Sequence, residues 1–202
     1  MPTDREKFSE IYETGAWSED YTVPLSGPGS SIRNSLPAIN LITRLHSERA
    51  IRSILDIGCG DLSWLSSIET IRNGELEYFG IDIVSSVIES NHREYPWFRG
   101  SCEDALERRR LDADLVIAKD LVFHMTNAQI STLLNILRNS TWRFCLFSNY
   151  ECNSNEARIL DERYHFAEVN LALPPFSISR WSEMFARPAG GVFLLIEPHH
   201  LA

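Results

Sequence analysis

The chain lacks any apolar run close to the ~20 residues that span a bilayer, so a membrane partner is not expected from its 202 residues. It also lacks an excess of positive charge: 19 Lys and Arg stand against 28 Asp and Glu, a formal net charge of −9. Such a surface repels a phosphate backbone, which argues against nucleic acid. The one basic run, Arg108-Arg109-Arg110, lies between acids and reads as a solvated loop. No CxxC pair is present. Cys59, Cys102, Cys145 and Cys152 are scattered, mostly in or beside expected strands, so buried free thiols are expected rather than disulfides or zinc ligands. No cluster has metal-ligand spacing, and His199-His200 reads as an exposed tail pair. The N-terminus, Met1 to Lys7, has no apolar core of a signal peptide, so a cytoplasmic location is expected.

What is present is ordinary globular composition, 44% hydrophobic and 23% charged, in a length suited to one domain spanning 1–202. Residues 5–13 read as a helix with Phe8, Ile11 and Tyr12 on one side. Residues 14–31 form a loop containing Trp17, Tyr21 and Ser26-Gly27-Pro28-Gly29-Ser30-Ser31. Further helices are expected over 34–49, 62–68, 85–94 and 127–139, with Asp61 able to cap the second of these. Strands are expected over 52–57, 76–82, 97–101, 113–118, 142–148 and 191–197. Alternation through residue 148 implies an α/β fold, Rossmann-like and doubly wound, with a mostly parallel sheet and helices on both faces. Residues 149–185 change character and read as an acceptor-side insertion, while 1–31 form an N-terminal helix and lid segment.

The run Ile54-Leu55-Asp56-Ile57-Gly58-Cys59-Gly60-Asp61 ends a buried strand in an acid and a glycine bend. The next strand ends in Asp82, placed to hold a ribose diol, so the pair points to an adenosine-containing ligand at the carboxyl edge of the sheet. A dinucleotide fingerprint would carry a third glycine where Ser63 stands. Asp56 would repel a pyrophosphate but suits an ammonium and a sulfonium, which S-adenosyl-L-methionine has without any phosphate.

Leu55-Asp56-Ile57-Gly58-Cys59-Gly60 resembles the first motif of class I S-adenosylmethionine-dependent methyltransferases. The resemblance extends to a small bacterial-type branch through Trp17 and the loop Ser26-Gly27-Pro28-Gly29-Ser30, through Cys59-Gly60-Asp61-Leu62-Ser63-Trp64, through Asp120-Leu121-Val122-Phe123-His124, and through Asn170-Leu171 with Pro175-Phe176. It covers about residues 8 to 197. One departure is Phe166-Ala167, where the branch often has Trp-Arg.

The resemblance implies a seven-stranded sheet and a set of roles. Asp56, Gly58, Gly60 and Asp61 would frame the methionine end of S-adenosyl-L-methionine, and Asp82 would take the ribose hydroxyls with Ile83 on the adenine. Ser101, Cys102 and Glu103 would hold the adenine edge, with Lys119 at the end of the fourth strand. Trp17, Tyr21, Ser26, Gly29 and Ser30 would belong to the lid, and Asn149 and Tyr150 to the acceptor side. His124 is the first candidate for a base that deprotonates an oxygen or nitrogen acceptor, and Asp120 the second; either could instead orient the acceptor, and His124 reads equally well as a core histidine. The expected activity is methyl transfer to a small-molecule acceptor, with the oligomeric state open between monomer and homodimer. A noncatalytic S-adenosylmethionine-binding partner protein and a nicotinamide-dependent oxidoreductase are the competing readings.

Overall fold

A computed structural model describes residues 3–18, 23–156, 158–162, 165–188 and 190–201. Its frame is a seven-stranded sheet: β1 (Ser53–Ile57), β2 (Glu77–Asp82), β3 (Gly100–Cys102), β4 (Ala113–Ala118), β5 (Trp142–Asn149), β6 (Glu183–Ala186) and β7 (Val192–Ile196), in the order β3-β2-β1-β4-β5-β7-β6. All neighbouring pairs from β3 to β5 are parallel, and β7 runs antiparallel to both β5 and β6. The strand order turns around at β1 and β4, so the crevice beyond their carboxyl ends is the place where such sheets bind ligands.

Both sheet faces are covered. Within β4, Leu115 and Ile117 join one core cluster, while Val116 and Ala118 join the other. Strand alternation therefore feeds two cores from one run of apolar residues. The first core is covered by α2 (Ile32–Arg49), the single turn α3 (Glu69–Arg72) and α4 (Ser85–Glu94). The second is covered by α5 (Asn127–Arg138), which buries Ile130, Leu133, Leu134 and Leu137 at helical spacing. Among the described residues no helix is long and apolar enough to cross a membrane. All four cysteines are free, with Cys59 and Cys145 buried.

The helix α1 (Asp4–Thr14) starts at a capping box of Thr3 and Glu6 and stops at Gly15 with φ 66°. Helix α2 begins at residue 32 because the Ser31 hydroxyl accepts from the Asn34 N–H. The helix expected over 62–68 does not form. Leu62 sits at φ 58°, and the Asp61 carboxylate accepts from both the N–H and the hydroxyl of Ser63. That local turn outcompetes the helix, and only a 3-10 turn at Leu65–Ser67 and α3 follow. The third strand is shifted to 100–102, and β6, four residues at the sheet edge, has no strong sequence pattern to announce it. Arg108 and Arg110 of the basic run pair with Glu103 and Asp112.

Residues 150–181 carry no regular element among the described residues, yet they are not peripheral. Val169, Leu171, Phe176 and Ile178 are buried in the second core. Asn155, 1% exposed, staples the segment: its Nδ2 donates to the carbonyls of Asn170 (2.7 Å) and Pro174 (3.0 Å), and its Oδ1 accepts from Asn170 N (2.9 Å). Removing that amide strands buried backbone groups. Asn155→Ala is expected to cost ~1–3 kcal/mol in chemical denaturation, whereas a change smaller than a few tenths would mean that water replaces the staple.

Candidate functional site

A cavity of about 590 Å³ opens at the carboxyl ends of β1, β2 and β4. Its first wall is the bend after β1, where Gly58 and Gly60 adopt φ 70° and 58°. Every backbone N–H from Gly58 to Asp61 is already satisfied inside the protein. Gly58 N and Cys59 N donate to Ile81 O (2.8 and 3.0 Å), Gly60 N to Asp82 Oδ2 (3.0 Å), and Asp61 N to Ser26 Oγ (2.9 Å). A phosphate needs free amides at a helix start, and here the amides are spent and no helix follows directly. The nicotinamide reading therefore has no anion cradle to rest on.

The groups left facing the cavity are carboxyls. Asp82, 8% exposed, accepts from Gly60 N and from Val84 N (3.0 Å), one bond per oxygen. Each oxygen keeps a further lone pair. Asp56, 2% exposed, accepts from the Tyr78 hydroxyl at 2.9 Å. Burial raises its pKa to about 7, against the smaller opposing effects of that hydrogen bond and of the Lys119 charge. A cation entering beside Asp56 would restore its ionised form. The bend thus fits a ligand that is positively charged and phosphate-free, the requirement that S-adenosyl-L-methionine meets.

The other end of the cavity is walled by rings: Phe8, Tyr12, Trp17, Phe123, His124, Tyr150 and Phe166. Trp17 stacks on His124 with centroids 4.9 Å apart. His124 Nδ1 lies 2.7 Å from the carbonyl of His165, which can only accept, so Nδ1 carries the proton and Nε2 the lone pair. Burial lowers the His124 pKa to about 4, leaving the ring neutral at pH 7.

Between the two ends lies a charge cluster. Asp120, at the end of β4 with φ 57°, takes Lys119 Nζ at 2.7 Å, Ser148 Oγ at 2.7 Å, and Arg187 Nη2. The left-handed backbone, tolerated by Asp, turns the carboxylate back toward β5 and the loop after β6. The pKa of Asp120 falls below the usual carboxylate range because the Lys119 and Arg187 cations outweigh its burial, the largest single influence. So held, Asp120 is a poor proton acceptor and an effective tether. Lys119 Nζ also donates to Gly29 O (3.0 Å), which brings the N-terminal segment into the same cluster.

The segment 26–30 is anchored at several points. Ser26 N donates to Asp61 Oδ2 (3.1 Å), the Tyr12 hydroxyl meets Ser26 Oγ (2.8 Å), and a Cβ on Gly29 or Gly60 would collide with Asp120 or Ser26. Of the candidate residues, Asp56, Gly58, Gly60, Asp82, Ile83, Glu103, Lys119, Asp120, His124, Trp17, Ser26, Gly29, Ser30 and Tyr150 line the cavity. Tyr21 lies outside the described residues. Four others fall elsewhere. Asp61 accepts from Ser26 N and does not line the cavity. Ser101 bonds Glu103, and Cys102 contacts Ile83 O, both off the cavity wall. Asn149 is 4% exposed and accepts from Leu171 N, pinning the tail rather than facing a ligand. Where Ser101 and Cys102 were expected, Asp104, Ala105 and Leu106 line the wall instead, because the short β3 ends before the chain reaches the cavity. Phe8 and Tyr12, expected only as a helix face, are cavity residues, and Arg187 has no motif that marks it.

No family model and no curated protein sequence matches the chain. Solved structures do share its fold. The magnesium protoporphyrin IX methyltransferase (ChlM) from Synechocystis PCC 6803, crystallised with bound SAM, is 15% identical with a TM-score of 0.64, over 96% of this chain and 97% of that one. The N-methyltransferase NodS from Bradyrhizobium japonicum WM9 is 15% identical with a TM-score of 0.56, over 80% and 93% of the two chains. The mitomycin 7-O-methyltransferase MmcR is 12% identical with a TM-score of 0.57, over 96% and 72%. At such identities the likeness establishes the class I methyltransferase fold.

The buried Asp56 carboxyl has a measurable consequence. Between about pH 4 and 7 the folded chain holds a proton on Asp56 that the unfolded chain has released, so this group lowers stability as pH rises through that window, by roughly 4 kcal/mol if fully expressed. His124, lowered to about 4, acts in the opposite sense over an overlapping range, so the comparison must be with a variant. Asp56→Asn is expected to come closest to the wild type in urea near pH 4 and to exceed it increasingly up to pH 8. Equal midpoints at both pH values would mean that Asp56 is ionised in the ligand-free protein.

Proposed function

We propose that the chain is an S-adenosylmethionine-dependent methyltransferase acting on a small-molecule acceptor by O- or N-methylation. The observation that carries this reading is the bend after β1, its amides spent internally and its open face framed by Asp56 and Asp82. The fold shared with methyltransferases of similar length adds support.

S-adenosylmethionine supplies a methyl group activated by its sulfonium. The chain's own residues supply position and environment. Asp82 accepts from the ribose hydroxyls, Ile83 packs on the base, and Asp56 faces the ammonium. The ring-lined end excludes water and orients the acceptor, and alignment alone is worth ~7–11 kcal/mol of barrier in favourable cases. Neutral His124 presents a lone pair, but at a pKa of about 4 it takes a proton only from an acceptor that is itself acidic. The role we assign to His124 is therefore orientation first and proton transfer second, and Asp120 is assigned to tethering Lys119 and Arg187.

Residues 1–31 act as the lid and 149–185 as the acceptor side of one catalytic domain. Trp17 on His124 and Ser26 on Asp61 join that lid to both ends of the cavity.

Calorimetric titration tests the reading. Wild type is expected to bind S-adenosylmethionine or its demethylated product, and Asp82→Ala to weaken binding at least tenfold. Undiminished binding by Asp82→Ala would remove the ribose role. A metabolite screen read through S-adenosylhomocysteine production separates an enzyme from a noncatalytic binder. Limited proteolysis is expected to slow within residues 15–31 when the donor is saturating; cleavage at an unchanged rate would contradict the lid.

A further inference from the structure

We infer that Arg187 anchors a carboxylate on the acceptor, so that the substrate class is a flat, largely apolar molecule carrying one carboxylate; this rests on the methyl-transfer reading above. Arg187 follows β6 and is fixed by its own backbone, with its N–H donating to Gly191 O and its carbonyl accepting from Gly190 N. Its side chain is 2% exposed and belongs to the cavity wall. Nη2 donates to Asp120, while Nε and Nη1 have no acceptor among the described residues. A guanidinium has five N–H donors in a fixed fork, and buried donors left without acceptors are costly. The rings of Phe193, Tyr150 and Phe123, at 4.9, 5.8 and 5.9 Å, hold the cation, and the Tyr150 hydroxyl is the one oxygen among them that bears on it.

Charge decides the ligand. Asp120 is shared by Lys119 and Arg187, so the cluster carries one surplus positive charge. The remaining bond of Lys119 goes to Gly29 O, which is uncharged. At the ring-lined end of the cavity Asp4 accepts from Gln129, and at the other Glu103 is taken by Arg108. Arg158, the neighbouring cation, is spent on Glu168 O, Ala167 O and Asn127. A single surplus charge suits a monoanion better than a phosphate dianion, and a carboxylate accepts from Arg in the geometry its fork offers. The surrounding rings of Phe8, Trp17, Phe123 and Phe166 set the flat apolar body. Nε and Nη1 are shielded from water, so a carboxylate reaches them only if the side chains around them rearrange.

The test uses protein saturated with S-adenosylhomocysteine, titrated with benzoate, 2-naphthoate and 3-phenylpropanoate, with their primary amides, and with phenyl phosphate. At least one carboxylate is expected to bind tenfold or more tightly than its amide. In Arg187→Met that gap should shrink below threefold, while uptake of S-adenosylhomocysteine reports that the variant is folded; Arg187→Lys should restore part of the gap. Carboxylates binding no better than their amides, a gap that survives in Arg187→Met, or a preference for phenyl phosphate over every carboxylate would each overturn the inference. If wild type takes up no S-adenosylhomocysteine, the methyl-transfer reading falls and the inference with it; uptake without discrimination by charge defeats the inference alone.

Discussion

The constraint on which the site depends is the closed hydrogen-bond account of the bend after β1. Backbone amides are the usual means by which a glycine bend at a sheet edge captures an anion. From Gly58 to Asp61 they are consumed by Ile81, Asp82 and Ser26. What such a bend can still offer is acceptors, and it offers them where burial has made ionisation expensive. Asp56 is raised to about 7 for that reason. A cationic ligand relieves the cost, and a pyrophosphate would add to it.

The same economy couples the two ends of the cavity. Ser26 closes the bend through Asp61 N, and its own N–H is held by Asp61 Oδ2. A few residues on, Gly29 O takes Lys119, whose other partner is Asp120. Asp120 in turn holds Arg187 from the far edge of the sheet. The bend after β1, the segment 26–30 and the Asp120 cluster therefore share one continuous network. A side chain at position 29 would displace the Asp120 carboxylate from where Lys119 and Arg187 hold it.

The sequence made the sheet legible wherever apolar strands alternate with amphipathic helices: β1, β2, β4 and β5 lie close to their expected positions, and α5 reads from its leucines alone. It misled where a side chain captures the backbone. Asp61 and Ser63 form a turn that a periodicity argument over 62–68 does not see. It was silent where partners are distant in the chain. Arg187 and Asp120 are 67 residues apart, and neither belongs to a motif that announces the other. The residues that line the cavity beside the bend, Asp56, Gly58, Gly60 and Asp82, came from local motifs. At the ring-lined end Trp17, Asp120, His124 and Tyr150 were expected from the sequence, whereas Phe8, Tyr12 and Arg187 were not, because tertiary contact rather than sequence spacing brings them there. Asn149 illustrates the difference: it stands beside Tyr150 at the end of β5, yet only Tyr150 reaches the cavity.

The central claim is that a buried, proton-holding carboxyl selects a cationic nucleoside, and one calorimetric measurement addresses it. S-adenosylmethionine titrated at pH 7 in buffers of different ionisation enthalpy should bind and expel a substantial fraction of a proton, and that release should vanish in Asp56→Asn. Binding with no proton release by the wild type, or heat with NAD and none with S-adenosylmethionine, would contradict it.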